Sequence, residues 1–343
     1  MTAGHNSHSS SIVPINAAIV GLGRWGKNLV GAVQGPGQQH SDRIRFVRGM
    51  VRQPAAVQDF ADQHGFALTD DFDALLADPA VQALVLATPP GQHTEHIVAA
   101  AKAGKAVFCE KPLALTRARA QQAVDACTAA GVALGVGQDK RFWPSMQELK
   151  RVVASGSLGT LLHVEGNFSN ENSNATYTAW RSSPTESPGG SLTATGIHVL
   201  DAFVNLMGPV HSVQAHNMAR QSAPTVQDTS TIFFEFADRA TGVLTSVRPT
   251  PLFFRVQVFG SQGWAQARGA NELEIQLSGQ ALERRQFEPV DALRFEMEAF
   301  GDAVAGRAAY PVSPEQIVMT AATLEAAVRA VDFGGVVELG SLA

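Results

Sequence analysis

The chain has 343 residues, 45% of them hydrophobic and 17% charged, with a formal net charge of −5. A chain of that length and apolar content buries a large core, best divided between two domains. The slight acidity, with no basic run and no interleaving of aromatic and basic residues, excludes an electrostatic binder of nucleic acid or anionic membrane. Cys109 and Cys127 form neither a disulfide framework nor a metal-spacing pair, so a reducing, cytoplasmic setting and no metal site are expected. Cys109 closes an apolar run and reads as a buried thiol.

Residues 1–14 read as a flexible N-terminal tail, polar and rich in Ser and His over Met1–Ser11, with no apolar segment of a secretory signal. No window approaches a transmembrane span. Residues 15–138 then alternate strand and helix signals. Ala17–Val20 is an apolar strand leading into Gly21-Leu22-Gly23-Arg24-Trp25-Gly26. Three glycines at that spacing on a strand-to-helix turn suit a dinucleotide's pyrophosphate. Gly21 permits the turn, Gly23 the close approach of backbone to phosphate, and Gly26 the packing of helix on strand. Ile44–Val51 is the second strand and Pro54–His64 a helix stopped by Gly65. Ala83–Ala87 is a short buried strand, and Thr94 caps a helix running to Ala103. Ala106–Cys109, a helix from Thr116 to Ala130 stopped at Gly131, and Val132–Val136 complete the series. Short apolar strands alternating with helices make a doubly wound parallel sheet, a Rossmann α/β domain.

Beyond residue 138 the texture changes. Val164–Phe168, Thr231–Phe236, Val243–Val247 and Phe253–Phe259 follow one another as strands without intervening helices. Residues 139–343 therefore read as an α+β domain around an open, mostly antiparallel sheet. Pro314–Val331 is its last long helix, with Ser313 as N-cap and Gln316 completing a capping box. Asn170–Gly190 is a polar loop and a candidate border of the site.

Ligands of an open parallel sheet lie beyond the carboxyl ends of its strands. Three loops occupy that edge: Gly21–Gly26, Thr88–Gly91 and Glu110-Lys111-Pro112. A lysine there, stiffened by the next proline, can be aimed at a nicotinamide, and partial desolvation brings its pKa toward the range useful for proton transfer. In Gly196–Asp201, read as a helix, His198, Asp201 and Asn205 share a stripe, so Asp201 is expected to orient His198. Arg52 follows the second strand, where an acid would bind the ribose 2′-OH of NAD. A guanidinium there pairs with a 2′-phosphate, which favours NADP over NAD. His93 is placed to touch the nicotinamide ribose, to cap its helix or to face solvent. Tyr177, Trp180 and Arg181 form a candidate substrate wall or an interface.

Taken together, these residues resemble the Gfo/Idh/MocA family, the glucose–fructose oxidoreductase and inositol dehydrogenase group. The matching segments are Gly21–Gly26, Ala87–Pro90 with His93, Ala103–Pro112, Arg141-Phe142 with Pro144, Trp180-Arg181, and Gly189-Gly190 through His198 to Asp201. The resemblance implies Lys111 as the catalytic lysine, a cis Lys111–Pro112 bond, His198 facing the substrate, and an open sheet serving as substrate wall and homo-oligomer interface, in a dimer or tetramer. It also supports a cofactor site of Gly21, Gly23, Arg24, Trp25, Gly26, Thr88, Pro89, His93, Glu110 and Lys111, to which the charge argument adds Arg52, a departure from the acid usual at that position. A substrate site of Lys111, Arg141, Tyr177, Trp180, Arg181, Thr195 and His198 follows in the same way. The family's sugar dehydrogenases usually carry Asp four residues before the histidine; this chain has Ala194. The expected function is an NAD(P)-dependent oxidoreductase acting on a secondary alcohol, or its carbonyl, of a sugar, inositol or sugar-derived acid. Two other readings stay open: an NADP-binding sensor without turnover, and an enzyme in which transient oxidation by bound NAD enables elimination.

Overall fold

The computed structural model describes residues 13–171, 183, 185–220 and 228–342. Most of the expected tail and the proposed wall of Tyr177, Trp180 and Arg181 lie outside the described residues. The chain begins β1 (Ile15–Val20), α1 (Arg24–Gln34), β2 (Ile44–Met50), α2 (Gln58–His64), β3 (Ala67–Thr69), α3 (Phe72–Ala77) and β4 (Ala83–Leu86). It continues with α4 (His93–Lys102), β5 (Ala106–Cys109), α5 (Arg117–Ala130) and β6 (Leu134–Val136). The six strands form a parallel sheet in the order β3-β2-β1-β4-β5-β6. All four side chains of β4 and of β5 are buried, as strands covered on both faces must be. Gly65 and Gly131 end α2 and α5 in the left-handed region, at φ of 71° and 64°, where a Cβ would be strained.

One boundary differs from expectation. Thr94 is not a cap, because a 3₁₀ turn at Pro90–Gln92 brings the chain into α4 two residues earlier. The helix N-cap is Gln92, and the Thr94 hydroxyl reaches back to the Arg119 carbonyl instead.

The second half contains α6 (Pro144–Ala154), β7 (Leu161–Ser169), α7 (Ile197–Met207), β8 (Val210–Met218), β9 (Thr229–Phe236), β10 (Thr241–Val247) and β11 (Phe253–Gly260). After these come β12 (Gly263–Arg268), β13 (Glu272–Leu277), β14 (Glu283–Gln286), α8 (Ala292–Val304), α9 (Pro314–Phe333) and β15 (Val336–Glu338). The strands make a second sheet, β14-β13-β12-β11-β7-β10-β9-β8-β15, antiparallel except where β10 runs parallel to β7. The charged β14 and the three-residue β15 at its edges are too short to show an apolar alternation, and this is why they are not evident in the sequence.

One face of this sheet packs on α6, α7 and α9 through Val164, Phe168, Ile232, Phe234, Val256 and their neighbours. The other face is wetter, with Phe233 47% and Met218 57% exposed. Both helices after residue 290 return to the first sheet. Met297 and Phe300 of α8 pack against Phe46 and Phe108. Ile317 and Ala321 of α9 join the α4–α5 layer, while Ala326 and Ala327 face the second sheet. Its alanines let α9 lie between the two halves with both sides buried, and its Ser313–Gln316 capping box is formed as expected. Among the described residues, no helix is long and apolar enough to cross a membrane.

Candidate active site

The strand order of the first sheet reverses between β1 and β4, and that opens a crevice at their carboxyl ends. Gly21 turns the chain there at φ 94°, its N–H donating to the Met50 carbonyl. A Cβ on Gly21 would stand 2.8 Å from the Ala87 carbonyl oxygen, and one on Gly26 only 2.0 Å from that of Gly21. Both positions thus require glycine for close backbone packing. A Cβ on Gly23 would meet nothing within 4 Å, so its space lies open beside the N-terminus of α1. The first turn of α1 carries no acid, which leaves its N–H groups and the positive end of its dipole for an anion. The Thr88 hydroxyl is buried without a partner among the described residues. This cradle, with an unsatisfied hydroxyl at its edge, fits the phosphate and ribose portion of a dinucleotide.

A cavity of about 340 Å³ runs from this turn to the second sheet. That volume is at the small end of ligand pockets, which span roughly 300–1,000 Å³. Arg24, Trp25, Thr88, Glu110 and Lys111 line its Rossmann side, and Lys140, Phe168, Asn170, Ser187, Thr193, Ala194, Thr195 and His198 line the other. The Lys111–Pro112 bond is cis, and the Lys111 ammonium donates to the Ala194 carbonyl at 2.7 Å. Ala194 sits in a π-helical turn, Leu192–Gly196, which leads into α7. Such turns are frequent at functional sites. Where the family's acid would stand, the lysine therefore meets a backbone dipole.

Glu110 is buried beside Lys111. Its carboxylate accepts from the Trp25 indole N–H and from the Lys111 backbone N–H. Burial raises its pKa to about 7, although Lys111 and the indole bond oppose that rise. His198 is also buried, its Nδ1 3.0 Å from Gln138 Oε1. Burial, followed by the charges of Lys111 and Lys140, holds the imidazole well below its ordinary pKa, so the ring is neutral. With Nδ1–H donating to Gln138, the lone pair is on Nε2. Lys140 pairs with Asp139 at 2.7 Å and lies 4.4 Å from the Trp143 ring centroid.

Several expectations are corrected. Asp201 does not orient His198, because Arg141 donates to both its carboxylate oxygens, through Nε and Nη2, at 2.7 Å each. Helical spacing does put His198 and Asp201 on adjoining positions, but a guanidinium fork outcompetes a neutral imidazole for a carboxylate. Arg141, expected in the substrate site, does not line the cavity: it is buried, donating also to Asn205, Gln316 and the Pro311 carbonyl. It works as a strut joining the β6 loop, α7 and the start of α9. His93 neither touches the cavity nor caps the helix. Its fully buried ring sits 2.9 Å from the Pro112 carbonyl oxygen and 2.8 Å from that of Thr88, clamping two edge loops together. Thr195 lines the cavity, yet its hydroxyl is engaged by Ser191 and Ser246. Pro89 does not line the cavity, whereas Pro90 does. Arg52 is exposed just past β2, next to the strand that bears the glycine turn.

Asn170 and Ser187, from the polar loop expected to border the site, line the cavity, whereas Lys140, Gln138 and Phe168 were not expected there. A signal existed for Lys140 and Gln138: Gln138-Asp139-Lys140 follows β6, on the carboxyl edge already assigned to ligands. Phe168, at the end of β7, carries no local signal of this kind.

Residues 15–138 match the model of an oxidoreductase family with an NAD-binding Rossmann fold, and 146–266 match the C-terminal domain model of the same family. The chain is 29% identical over 324 residues to a D-xylose 1-dehydrogenase (NADP(+)) of Haloferax volcanii, covering 91% of this chain and 96% of that one. It is 29% identical over 274 residues to the uncharacterized oxidoreductase YrbE of Bacillus subtilis, covering 77% and 76%. The solved structure of GenD2 from gentamicin A biosynthesis, in complex with NAD, superposes with a TM-score of 0.83 at 25% identity over 98% of this chain and 99% of that one. Levoglucosan dehydrogenase with NADH and levoglucosan gives 0.84 at 21% identity, over 95% and 99%, a likeness of fold.

Proposed function

The chain belongs to the Gfo/Idh/MocA family and is an NAD(P)-dependent oxidoreductase, and from that premise we propose that it interconverts a secondary alcohol and its carbonyl on a sugar, inositol or sugar-derived acid. Residues 15–138 hold the dinucleotide and 139–343 form the substrate wall. The observation that carries this reading is the convergence of Lys111 and His198 on one cavity beside the glycine turn. A bound nicotinamide supplies hydride exchange at the carbinol carbon.

The protein's own groups supply the rest. In the oxidative direction Lys111, once it has released a proton and stands as the neutral amine, takes the hydroxyl proton at Nζ, and the Ala194 carbonyl, accepting an N–H, fixes where that nitrogen sits. His198, neutral, accepts a hydrogen bond at Nε2 from the same or a neighbouring hydroxyl, with Gln138 setting its tautomer. Gly21, Gly23, Gly26, Arg24 and Thr88 hold the cofactor's phosphates and ribose. Arg52 pairs with a 2′-phosphate, which favours NADP. The wetter face of the second sheet, bearing Phe233 and Met218, is the homo-oligomer contact.

The protein is assayed with NADP⁺ and NADPH against a panel of polyols, sugar acids and keto-sugars. Turnover that depends on Lys111 supports the reading. Tight NADP binding without any turnover would favour a sensor, and retained cofactor with no net redox change would favour elimination.

A further inference from the structure

The cavity holds a second lysine, for which proton transfer has no use. Lys140 comes from the loop after β6, its side chain 16% exposed. Its ammonium lies 4.4 Å from the Trp143 ring centroid and 5.7 Å from that of Phe168. Ring faces steady a cation without consuming its hydrogen-bond donors. An ammonium has three donors, and among the described residues only Asp139 accepts a side-chain bond from this one.

The surrounding charge has the same sense. Arg24, Lys111 and Lys140 line the cavity, with Glu110 as the one lining carboxyl among the described residues. Glu110 is half neutral near pH 7. Ala194 adds no acid at the π turn, so Lys111 donates there to a carbonyl. Lys140 keeps Asp139 as a partner, but with a neutral polyol bound the cations of this partly desolvated wall outnumber the ionised carboxyls and lack a full counter-charge. A carboxylate would supply one.

We propose that Lys140 anchors a substrate carboxylate, so that the cavity selects polyhydroxy acids of the aldonate or uronate class while Lys111 and His198 meet a hydroxyl of the same molecule. The proposal rests on the oxidoreductase reading for its hydroxyl, but the carboxylate contact can be measured without turnover.

The test titrates the protein saturated with NADP⁺ calorimetrically with matched pairs: D-glucuronate against D-glucose, and D-gluconate against D-glucitol. At least one acid should bind tenfold or more tighter than its neutral partner. A charge-assisted contact in a partly buried site predicts that Lys140→Met lowers that ratio by about tenfold to a hundredfold, and that Lys140→Arg restores most of it. The arginine variant guards against a mere folding defect, and the wild-type ratio needs no variant at all. A ratio near one in both pairs, absence of binding included, overturns the proposal, as does a preference that survives Lys140→Met. A Lys140-dependent acid preference with no turnover of any compound would sustain the carboxylate site and defeat the oxidoreductase reading. Turnover of neutral polyols with no acid preference would do the reverse.

Discussion

The two walls of the cavity are built in opposite ways. The Rossmann wall uses consecutive residues at the ends of adjacent parallel strands: the Gly21 turn after β1, Thr88 after β4, and Glu110-Lys111 after β5. The facing wall is gathered from distant segments, with Lys140 after β6, Phe168 on β7, and Ala194 and His198 around the start of α7. Cofactor chemistry is thus encoded in local backbone requirements, while the substrate side depends on where tertiary packing brings unrelated side chains. The Arg141–Asp201 pair, itself out of the cavity, holds that second arrangement together.

This contrast can be broken first at Lys111. Lys111→Ala is expected to lower kcat by about 10³-fold, within the range for a positioned acid–base group, while NADP affinity and the melting temperature stay near wild type. An unchanged rate would remove the lysine from the mechanism and leave the Rossmann wall a binding surface alone.

Arg141→Ala tests the strut. It leaves Asp201 buried and uncompensated, so unfolding in denaturant should show a loss of about 3–5 kcal/mol. A fully stable variant with only a raised KM would return Arg141 to the list of substrate ligands.

Glu110 tests the seam between the walls through pH. Its folded pKa, about 7, lies above the ordinary 4.5, so the folded state holds the proton more tightly. The stability this contributes is complete below about pH 4.5 and is lost as pH rises through about 7, by up to about 3 kcal/mol at this one carboxyl. Denaturation of Glu110→Gln against wild type across that window should show the difference closing below pH 5 and opening toward pH 7 in favour of the variant. A difference that is constant with pH would mean the carboxyl titrates normally.

The smallest effect is expected at Arg52, exposed just past β2. Arg52→Ala should lower NADP affinity by about tenfold and leave NAD affinity nearly unchanged in fluorescence titrations. Wild-type affinity for NAD equal to or better than that for NADP would overturn the pairing with a 2′-phosphate.

Legibility follows the same divide. β4 and β5 could be read directly, because a strand buried on both faces is an unbroken apolar run, and the Gly21, Gly65 and Gly131 signals match turns that a Cβ would strain. Ser313 and Gln316 likewise announced the start of α9. By contrast, β13, β14 and α8 were not evident. Their burial is partial, and α8 covers Phe46 and Phe108 with Met297 and Phe300, which lie far along the chain from both. Within the site, Lys111 and His198 were legible, but the partner of His198 was not. Helical spacing could show that Asp201 was within reach, but only the fold could show that Arg141 arrives first.

The sequence by itself determined the parallel sheet, its ligand-binding edge and the lysine on that edge, because these follow from backbone sterics and short-range periodicity. The tertiary structure alone decided which side chains face Lys111 across the cavity. It set Gln138 on His198, put the Ala194 carbonyl where an acid was expected, and brought Lys140 into the pocket. Those contacts join positions tens of residues apart, and competition among charged and polar groups for the same partner is resolved only once the elements have packed.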